Sequence, residues 1–559
     1  MRRSLLTALA AVVVGLGFVR TANAGISLNP VGTYASGVFF DGDFGAAEIP
    51  AYDATSRRVF VVNAQLEQID VLDVSDPSMP TKLGSIELSG RPNSATVFAG
   101  LLAVAVEASP KTDPGTVVLY RASCDPTVPA NCEPLNEITV GALPDMLTFS
   151  PNGRYLLVAN EGEPEGDVDP KGTVSVIDLR KGIDRPIVNT VDFTPLDGGP
   201  VPVGVIVQTG KLPSVDFEPE YITVSENSKT AWVALQEANA IAEIDVKNAT
   251  LVAVRGLGFK NHGLPQNSLD VSDRDNAINL CTWPNVFGMY QPDGIAAYKV
   301  KNRYYIVTAN EGDSRDADAA RVGDLPSTSF DSTFPSSVRN SRNLGRLTVN
   351  RNLGLESGIY KQLYVYGARS FAIWSDTGEL VYDSANEFER IIASFPSAPP
   401  SPLVLNGPAV PAAPAATCPV PSGTLPSAPP ASTPFNSNHE AGPSFDNRSD
   451  NKGPEPEGIT LGRIGERTYA FVGLERTSGI MVYDITDPAA PAFVQYVNPR
   501  NFAAVYALPD DPGDWQEAGD LGPEGLAFIR AEDSPIATPL LVVANEVSGT
   551  TTVYTITSP

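Results

Sequence analysis

Two stretches near opposite ends of this chain read almost alike: Ile69-Asp70-Val71-Leu72-Asp73-Val74-Ser75-Asp76-Pro77-Ser78-Met79-Pro80 and Ile480-Met481-Val482-Tyr483-Asp484-Ile485-Thr486-Asp487-Pro488-Ala489-Ala490-Pro491. Each is a short run of β-formers closed by Asp-Pro-x-x-Pro, a strand followed by a turn. Residues 174–179 and 241–246 repeat the strand half. Such self-similarity limits the fold more than any other feature. A repeated unit that cannot bury its own apolar faces must stack on its neighbours.

Two further elements precede each of these strands. One is a buried-type run ending in Asn or Glu, as in residues 59–63, 155–160, 304–310 and 540–545, with variants at 102–107, 231–235 and 469–474. The other is an acid or amide, often after Pro, that opens an apolar strand: Glu48, Asn93, Asp145, Glu220, Asp293, Glu457 and Glu524. The successive spacings are 45, 52, 75, 73, 164 and 67 residues. Units of three or four strands with variable spacing and almost no helical periodicity predict an all-β propeller. Eight units are counted, the eighth at 363–384 inside the long gap. Seven blades follow instead if residues 291–390 build one elaborate blade. Residues 28–38 are expected to supply the outer strand of the last blade and close the ring, which removes exposed sheet edges.

The N-terminus predicts export. Arg2 and Arg3, an uncharged apolar run and Ala22-Asn23-Ala24 have the layout of a secretory signal peptide over residues 1–24, followed by one propeller domain over 25–559. No later segment is long and apolar enough to span a bilayer. The formal net charge of −26 disfavours nucleic-acid partners and favours cations. Four cysteines in an exported chain suggest disulfides. Three pairings are possible; closeness in sequence favours Cys124 with Cys132, which leaves Cys281 with Cys418. Residues 312–345 read as a polar insertion, and residues 395–436, rich in Pro, Ala and Ser, as an extended surface loop.

In a propeller the first strand of each blade lines the central channel, so Glu48, Asp145, Glu220, Asp293, Glu457 and Glu524 are expected to converge. The second-strand endings add Glu107, Glu161, Glu237, Glu311, Glu475 and Glu546. Crowded carboxylates raise one another's pKa, and a bound divalent cation relieves this. Oxygen ligands without His or Cys suit Ca2+ or Mg2+. The alternative is that these acids cap turns and accept backbone N–H groups. The loop with Asp270, Asp273 and Asp275 alternates oxygen ligands as calcium loops do, but lacks the Gly and late Glu of an EF-hand. The loops Glu311-Gly312-Asp313-Ser314-Arg315 and Asp446-Asn447-Arg448-Ser449-Asp450 mix acids with guanidinium groups. They read either as salt-bridge networks or as cation sites beside phosphate-binding Arg315 and Arg448. There is no Gly-x-Ser-x-Gly elbow, no phosphate-cradling Gly-Lys-Ser/Thr loop and no His-Glu-x-x-His. With two histidines in all, a serine–histidine triad has little material.

Several of these motifs, in order, resemble the choice-of-anchor I domain family: Asn310-Glu311-Gly312-Asp313-Ser314-Arg315, Gly453-Pro454-Glu455-Pro456-Glu457-Gly458, Tyr469-Ala470-Phe471-Val472-Gly473-Leu474-Glu475-Arg476, Gly522-Pro523-Glu524-Gly525-Leu526 and Val543-Ala544-Asn545-Glu546-Val547-Ser548-Gly549-Thr550. The family includes mesenchyme-specific cell-surface glycoproteins of biomineralising animals and bacterial proteins labelled alkaline phosphatase. The resemblance implies a quinoprotein- or YVTN-like propeller, exported or surface-held, with a link to calcium. It brings no catalytic residues with it. The sequence thus predicts a monomeric, Ca2+-binding propeller with an unidentified ligand or surface partner. A calcium-dependent phosphoester hydrolase is the alternative; a quinone-dependent dehydrogenase is supported by no cofactor motif.

Overall fold

The computed structural model describes residues 25–558 except 41, 43, 129, 130, 316, 398, 422 and 508–512. The expected signal peptide lies outside the described residues. Nearly all regular structure is antiparallel β, and no helix among the described residues is long and apolar enough to cross a membrane.

Among the described residues, six four-stranded antiparallel sheets and one five-stranded sheet form seven blades. Their inner strands are, in order, Pro50–Asp53, Pro92–Phe98, Pro144–Phe149, Pro219–Val224, Ile295–Val300, Pro456–Ile464 and Pro523–Ile529. Each inner strand touches the next, and the seventh touches the first, so the ring is closed. Closure uses chain from both ends. Ser27–Ala35 pairs with Thr550–Thr557 as the outer strand of blade 7, as the sequence predicts. Each blade-to-blade interface holds its own buried apolar cluster, for example Trp232, Ile241, Ile306 and Trp374 between blades 4 and 5. Burying a Val, Leu, Ile or Phe side chain contributes roughly 1.5–3 kcal/mol, so stacking the faces stabilises the ring as a whole.

The blade count is seven, the lower of the two sequence counts. The eighth unit is not independent. Leu363–Val365 joins an accessory sheet, whereas Ser370–Ser375 and Leu380–Asp383 are the third and fourth strands of blade 5. The chain leaves blade 5 after Arg303–Asn310, builds part of the accessory sheet, and returns to pair Asn310 with Ser370. That sheet has five short strands, including Phe259–Asn261, Val286–Met289 and Ala319–Arg321, over its own core of Leu269, Trp283, Val286, Phe334 and Leu363. The polar insertion 312–345 is thus folded onto this sheet. The Pro-rich segment is not loop alone: Leu403–Asn406 adds a fifth strand to blade 6. Both expected disulfides are present, Cys124–Cys132 and Cys281–Cys418.

The Asp-Pro-x-x-Pro repeats join the third strand of a blade to its fourth. Asp76 and Asp487 each accept the backbone N–H two residues on, at 3.0 and 3.1 Å. These repeated acids are turn-makers.

Candidate cation site: the axial carboxylate ring

On five of the seven blades the opening residue is aimed inward by a local irregularity of the backbone. On blades 2, 3, 4, 6 and 7 the pairing of the inner strand slips immediately after its first proline, between Pro92 and Ser94, Pro144 and Met146, Pro219 and Ile222, Pro456 and Ile459, and Pro523 and Leu526. A bulge leaves an extra residue outside the ladder and turns its side chain. The bulged residues include Asn93, Asp145, Glu220, Glu457 and Glu524. Glu48 and Asp293 lie just ahead of the inner strands of blades 1 and 5.

The glycines that follow three of these acids have a steric reason. A Cβ on Gly458 would lie 1.8 Å from the Glu524 carbonyl oxygen, and one on Gly525 would lie 2.3 Å from that of Glu48. Gly294 stands likewise against Glu457, at 2.4 Å. The Pro-acid-Gly repeat therefore sets the close approach of neighbouring blades at the axis, while the acid faces the channel.

The result is a cavity of about 220 Å³ whose lining includes Asn93, Asp145, Glu220, Asp293, Glu457 and Glu524 together with Glu161 and Glu311. No Lys, Arg or His among the described residues lines it. One oxygen each of Glu220, Glu457 and Glu524 has no hydrogen-bond donor among the described residues. Asp293, Glu311 and Glu457 each bring an oxygen within 4.8 Å of the other two. Burial and mutual repulsion push these carboxyls up from their ordinary range. Glu457 is raised by burial, then by Glu475, Glu311, Glu524 and Asp293; Asp293 by burial, Glu311 and Asp145. Asp145 is pushed up to about 7, mainly by burial and then by Glu163 and Glu107.

Glu48 opens onto a second, larger cavity of about 820 Å³ between blades 1 and 3, which shares Asn93 and Asp145 with the ring. Its lining holds Arg91, bonded to Glu107 at 2.7 Å and lying over the Phe44 ring, and Lys111, paired with Glu163.

A further group of cations meets the ring at blades 5 and 6. Glu311 accepts Lys452 Nζ at 2.5 Å and Gln236 Nε2 at 3.1 Å. Lys452 also meets Glu455 at 3.0 Å, and Arg476 bonds Glu475 at 3.0 Å. Glu475, Glu546 and His439 form a second close group. Glu546 is pushed up to about 7 by burial, against the opposing pull of Arg476.

The remaining sequence-predicted residues stand elsewhere. Asp313 is exposed, outside the ring lining. Arg315 donates to the Asp216 carbonyl at 2.6 Å and lies 3.7 and 3.8 Å from the Asp216 and Glu218 carboxylates. Arg448 donates twice to Glu455, at 2.8 and 2.6 Å. Both guanidiniums are thus engaged with carboxylates, the salt-bridge reading of these loops. Asp270, Asp273 and Asp275 lie in the accessory region, away from the channel lining. Asp273 is ion-paired with Arg346 at 3.0 Å. Glu455, Arg476 and His439 were not read as site residues; the signal available was the Leu474-Glu475-Arg476 ending, where a cation follows the repeated acid.

The sequence profile of the choice-of-anchor I domain matches residues 48–488. Gigasin-3a of Magallana gigas is 26% identical over 226 residues, 39% of this chain and 66% of that protein. The mesenchyme-specific cell surface glycoprotein of Strongylocentrotus purpuratus is 25% identical over 301 residues, 48% of this chain and 35% of that protein. The chain thus spans less than two thirds of the length of these relatives. Among solved structures, hydrazine synthase of Kuenenia stuttgartiensis aligns over 94% of this chain and 100% of its own, with a TM-score of 0.43 and 12% identity. The WD40 domain of Toxoplasma gondii coronin aligns over 96% of this chain and 89% of its own, with a TM-score of 0.40 and 10% identity. The propeller assignment stands on the strand pairing and ring closure.

Proposed function

From the premise that the chain belongs to the choice-of-anchor I domain family, we propose that it is an exported, acidic β-propeller that binds divalent cations, Ca2+ foremost, in its axial carboxylate ring and engages a ligand or surface partner at the same face. One observation carries this reading: five blades send an opening carboxylate, and one sends an amide, into an axial cavity that no basic side chain among the described residues lines. Like charges held together in a buried site either take up protons or take up a cation. Ca2+ accepts six to eight oxygen ligands in flexible geometry, which suits a ring of Asp, Glu and Asn. Two disulfides and a relative named as a cell-surface protein accord with export. The larger cavity beside the ring offers room for a polar ligand that also reaches the bound cation.

The test is a Ca2+ titration by calorimetry on chelator-stripped protein. Saturable binding is expected, and Glu457→Gln should weaken it by about tenfold or more, since losing one charged ligand costs upwards of about 1.4 kcal/mol. Absence of binding heat, together with melting that ignores chelator at low salt, would overturn the reading.

A further inference from the structure

The two oxygen-rich loops that the sequence marks separately, around residues 270–279 and 446–455, meet outside the channel. Asp270, Asp275 and Asp446 are all buried, at 1%, 2% and 2% exposure. Asp270 accepts the backbone N–H groups of Ser272 at 3.3 Å and Asn279 at 2.5 Å. Asp275 accepts the Ala277 N–H at 3.1 Å and Asn279 Nδ2 at 2.6 Å. Asp446 Oδ1 accepts the Ser449 hydroxyl at 2.5 Å, but its Oδ2 is buried without a donor. Asn436 is fully buried and donates through Nδ2 to that same Ser449 Oγ at 2.8 Å and to Glu389 at 2.9 Å. Its Oδ1, too, has no partner among the described residues.

Cations are close by but bound elsewhere. Arg369 donates to the Asp270 backbone carbonyl at 2.7 Å, to the Glu389 carboxylate at 2.8 Å and to the Ser449 and Asn451 carbonyls. Arg346 and Arg321 are held by Asp273 and Asp450. No ion pair between a described residue and the carboxylate of Asp270, Asp275 or Asp446 is present. Arg369, which bridges the Asp270 and Ser449 carbonyls, and Arg346, which bridges Asp273 and Asp450, hold the two loops together, and the charge acting most strongly on Asp446 is Asp270.

We propose that Asp270, Asp446 and the Asn436 amide oxygen, with Asp275 beside them, form a second and buried site for a hard divalent cation such as Ca2+, separate from the axial ring. Carboxylate and amide oxygens are calcium ligands by type, and a cation there would satisfy two buried oxygens that lack a partner among the described residues. Its consequence is structural. The first loop lies between two strands of the accessory sheet and ends two residues before the disulfide-bonded Cys281. The second runs on to Lys452, which touches the ring acid Glu311. The site would fasten the accessory sheet to the rim of the channel.

Ca2+ stoichiometry and chelator-dependent melting, measured on the stripped protein, Asp446→Asn and Glu457→Gln, test this. Asp446→Asn is expected to lose one bound Ca2+ per chain while ring binding persists; Glu457→Gln is expected to lose or weaken the other class. Asp275→Asn serves as a second, milder variant and should weaken the same class that Asp446→Asn removes. If the ring reading alone fails, the protein binds one Ca2+ that ignores Glu457→Gln and vanishes with Asp446→Asn. The proposal is overturned if Asp446→Asn keeps the stoichiometry and the calcium-dependent melting of the parent, above all if it melts higher in chelator, the behaviour of two carboxyls that merely share a proton.

Discussion

Glu455 and Glu457 stand two residues apart on one strand entry, are the same residue type, and live in opposite electrostatic settings. Glu455 is fully buried and surrounded by Arg448, Lys452 and Arg476, at 2.6, 3.0 and 3.3 Å. Those three cations outweigh its burial and hold its carboxyl far below the ordinary carboxylate range. Glu457 faces the channel, has one oxygen without a donor, and is pushed well above that range by burial and by Glu475, Glu311 and Glu524. Burial alone does not decide the charge state of a carboxylate; the neighbours supplied by other blades do. The first is a finished ion-pair cluster. The second is a cluster of like charges short of a counter-ion, which is why the channel and not the Glu455 pocket is the candidate cation site.

The sharpest way to break this contrast is to remove the finished cluster. Glu455→Gln leaves three cations packed together without their shared carboxylate. Breaking a buried ion pair from one side costs roughly 3–5 kcal/mol, and that loss is expected in chemical denaturation, with or without Ca2+. A cost below about 1 kcal/mol would mean that solvent reaches the pocket and that the two regions differ less than their geometry indicates.

A pH titration of stability separates the regions by sign. A carboxyl held high in the folded protein keeps its proton where the unfolded chain has lost it. Its contribution is therefore complete below its unfolded pKa and disappears as pH rises through the folded value. Asp145 and Glu546, both raised to about 7, place that window between the ordinary carboxylate range and about pH 7. The depressed Glu455 acts oppositely: its contribution is present above its unfolded pKa and lost on acidification. Chelated protein is thus expected to be most stable near pH 4 and several kcal/mol less stable at pH 7.5, since one pKa unit corresponds to about 1.4 kcal/mol. Saturating Ca2+ should flatten the fall above pH 5. A chelated profile that rises steadily to neutral pH would show that the ring is not charge-crowded.

Much of the ring was legible because it is written into the repeat. The Pro-acid-Gly openings mark a strand start, an inward side chain and a close approach at once, so Glu457 and Glu524 could be placed at the axis from sequence alone. The closing strand at Ser27–Ala35 was legible for a similar reason, as the last blade lacked an outer strand. The blade count was less so. Blade 5 is split between Asn310 and Ser370 by the accessory sheet, and its second half imitates a separate unit. The surroundings of Glu455 were hidden because its cations come from two different segments: Arg448 and Lys452 from its own loop, Arg476 from the far end of the second strand of blade 6. Local sequence shows that charges are mixed, not which carboxylate captures them. The meeting of the Asp270 and Asp446 loops is likewise a tertiary fact, joining an insertion to the entry of blade 6.

The smallest expected effect is also the most discriminating, because its sign depends on metal. Glu524 opens blade 7, keeps one oxygen without a donor, and is raised by burial and then by Glu48, Glu546, Asp293 and Asp145. Glu524→Gln preserves shape and removes one like charge. In chelator the variant should be more stable than the parent by about 1 kcal/mol at pH 7.5, the scale of relief from a like-charge contact. In saturating Ca2+ the order should reverse, because the parent gains stability in proportion to the logarithm of ligand over Kd and the variant, with a ligand oxygen gone, gains less. A turn-capping role predicts the opposite pattern, a small loss of stability that calcium leaves untouched, since the carboxylate would then be held by backbone donors that an amide serves less well. Thermal melting of the two proteins in chelator and in Ca2+ decides between these, and the crossing of the two stabilities is the signature that only a cation in the ring produces.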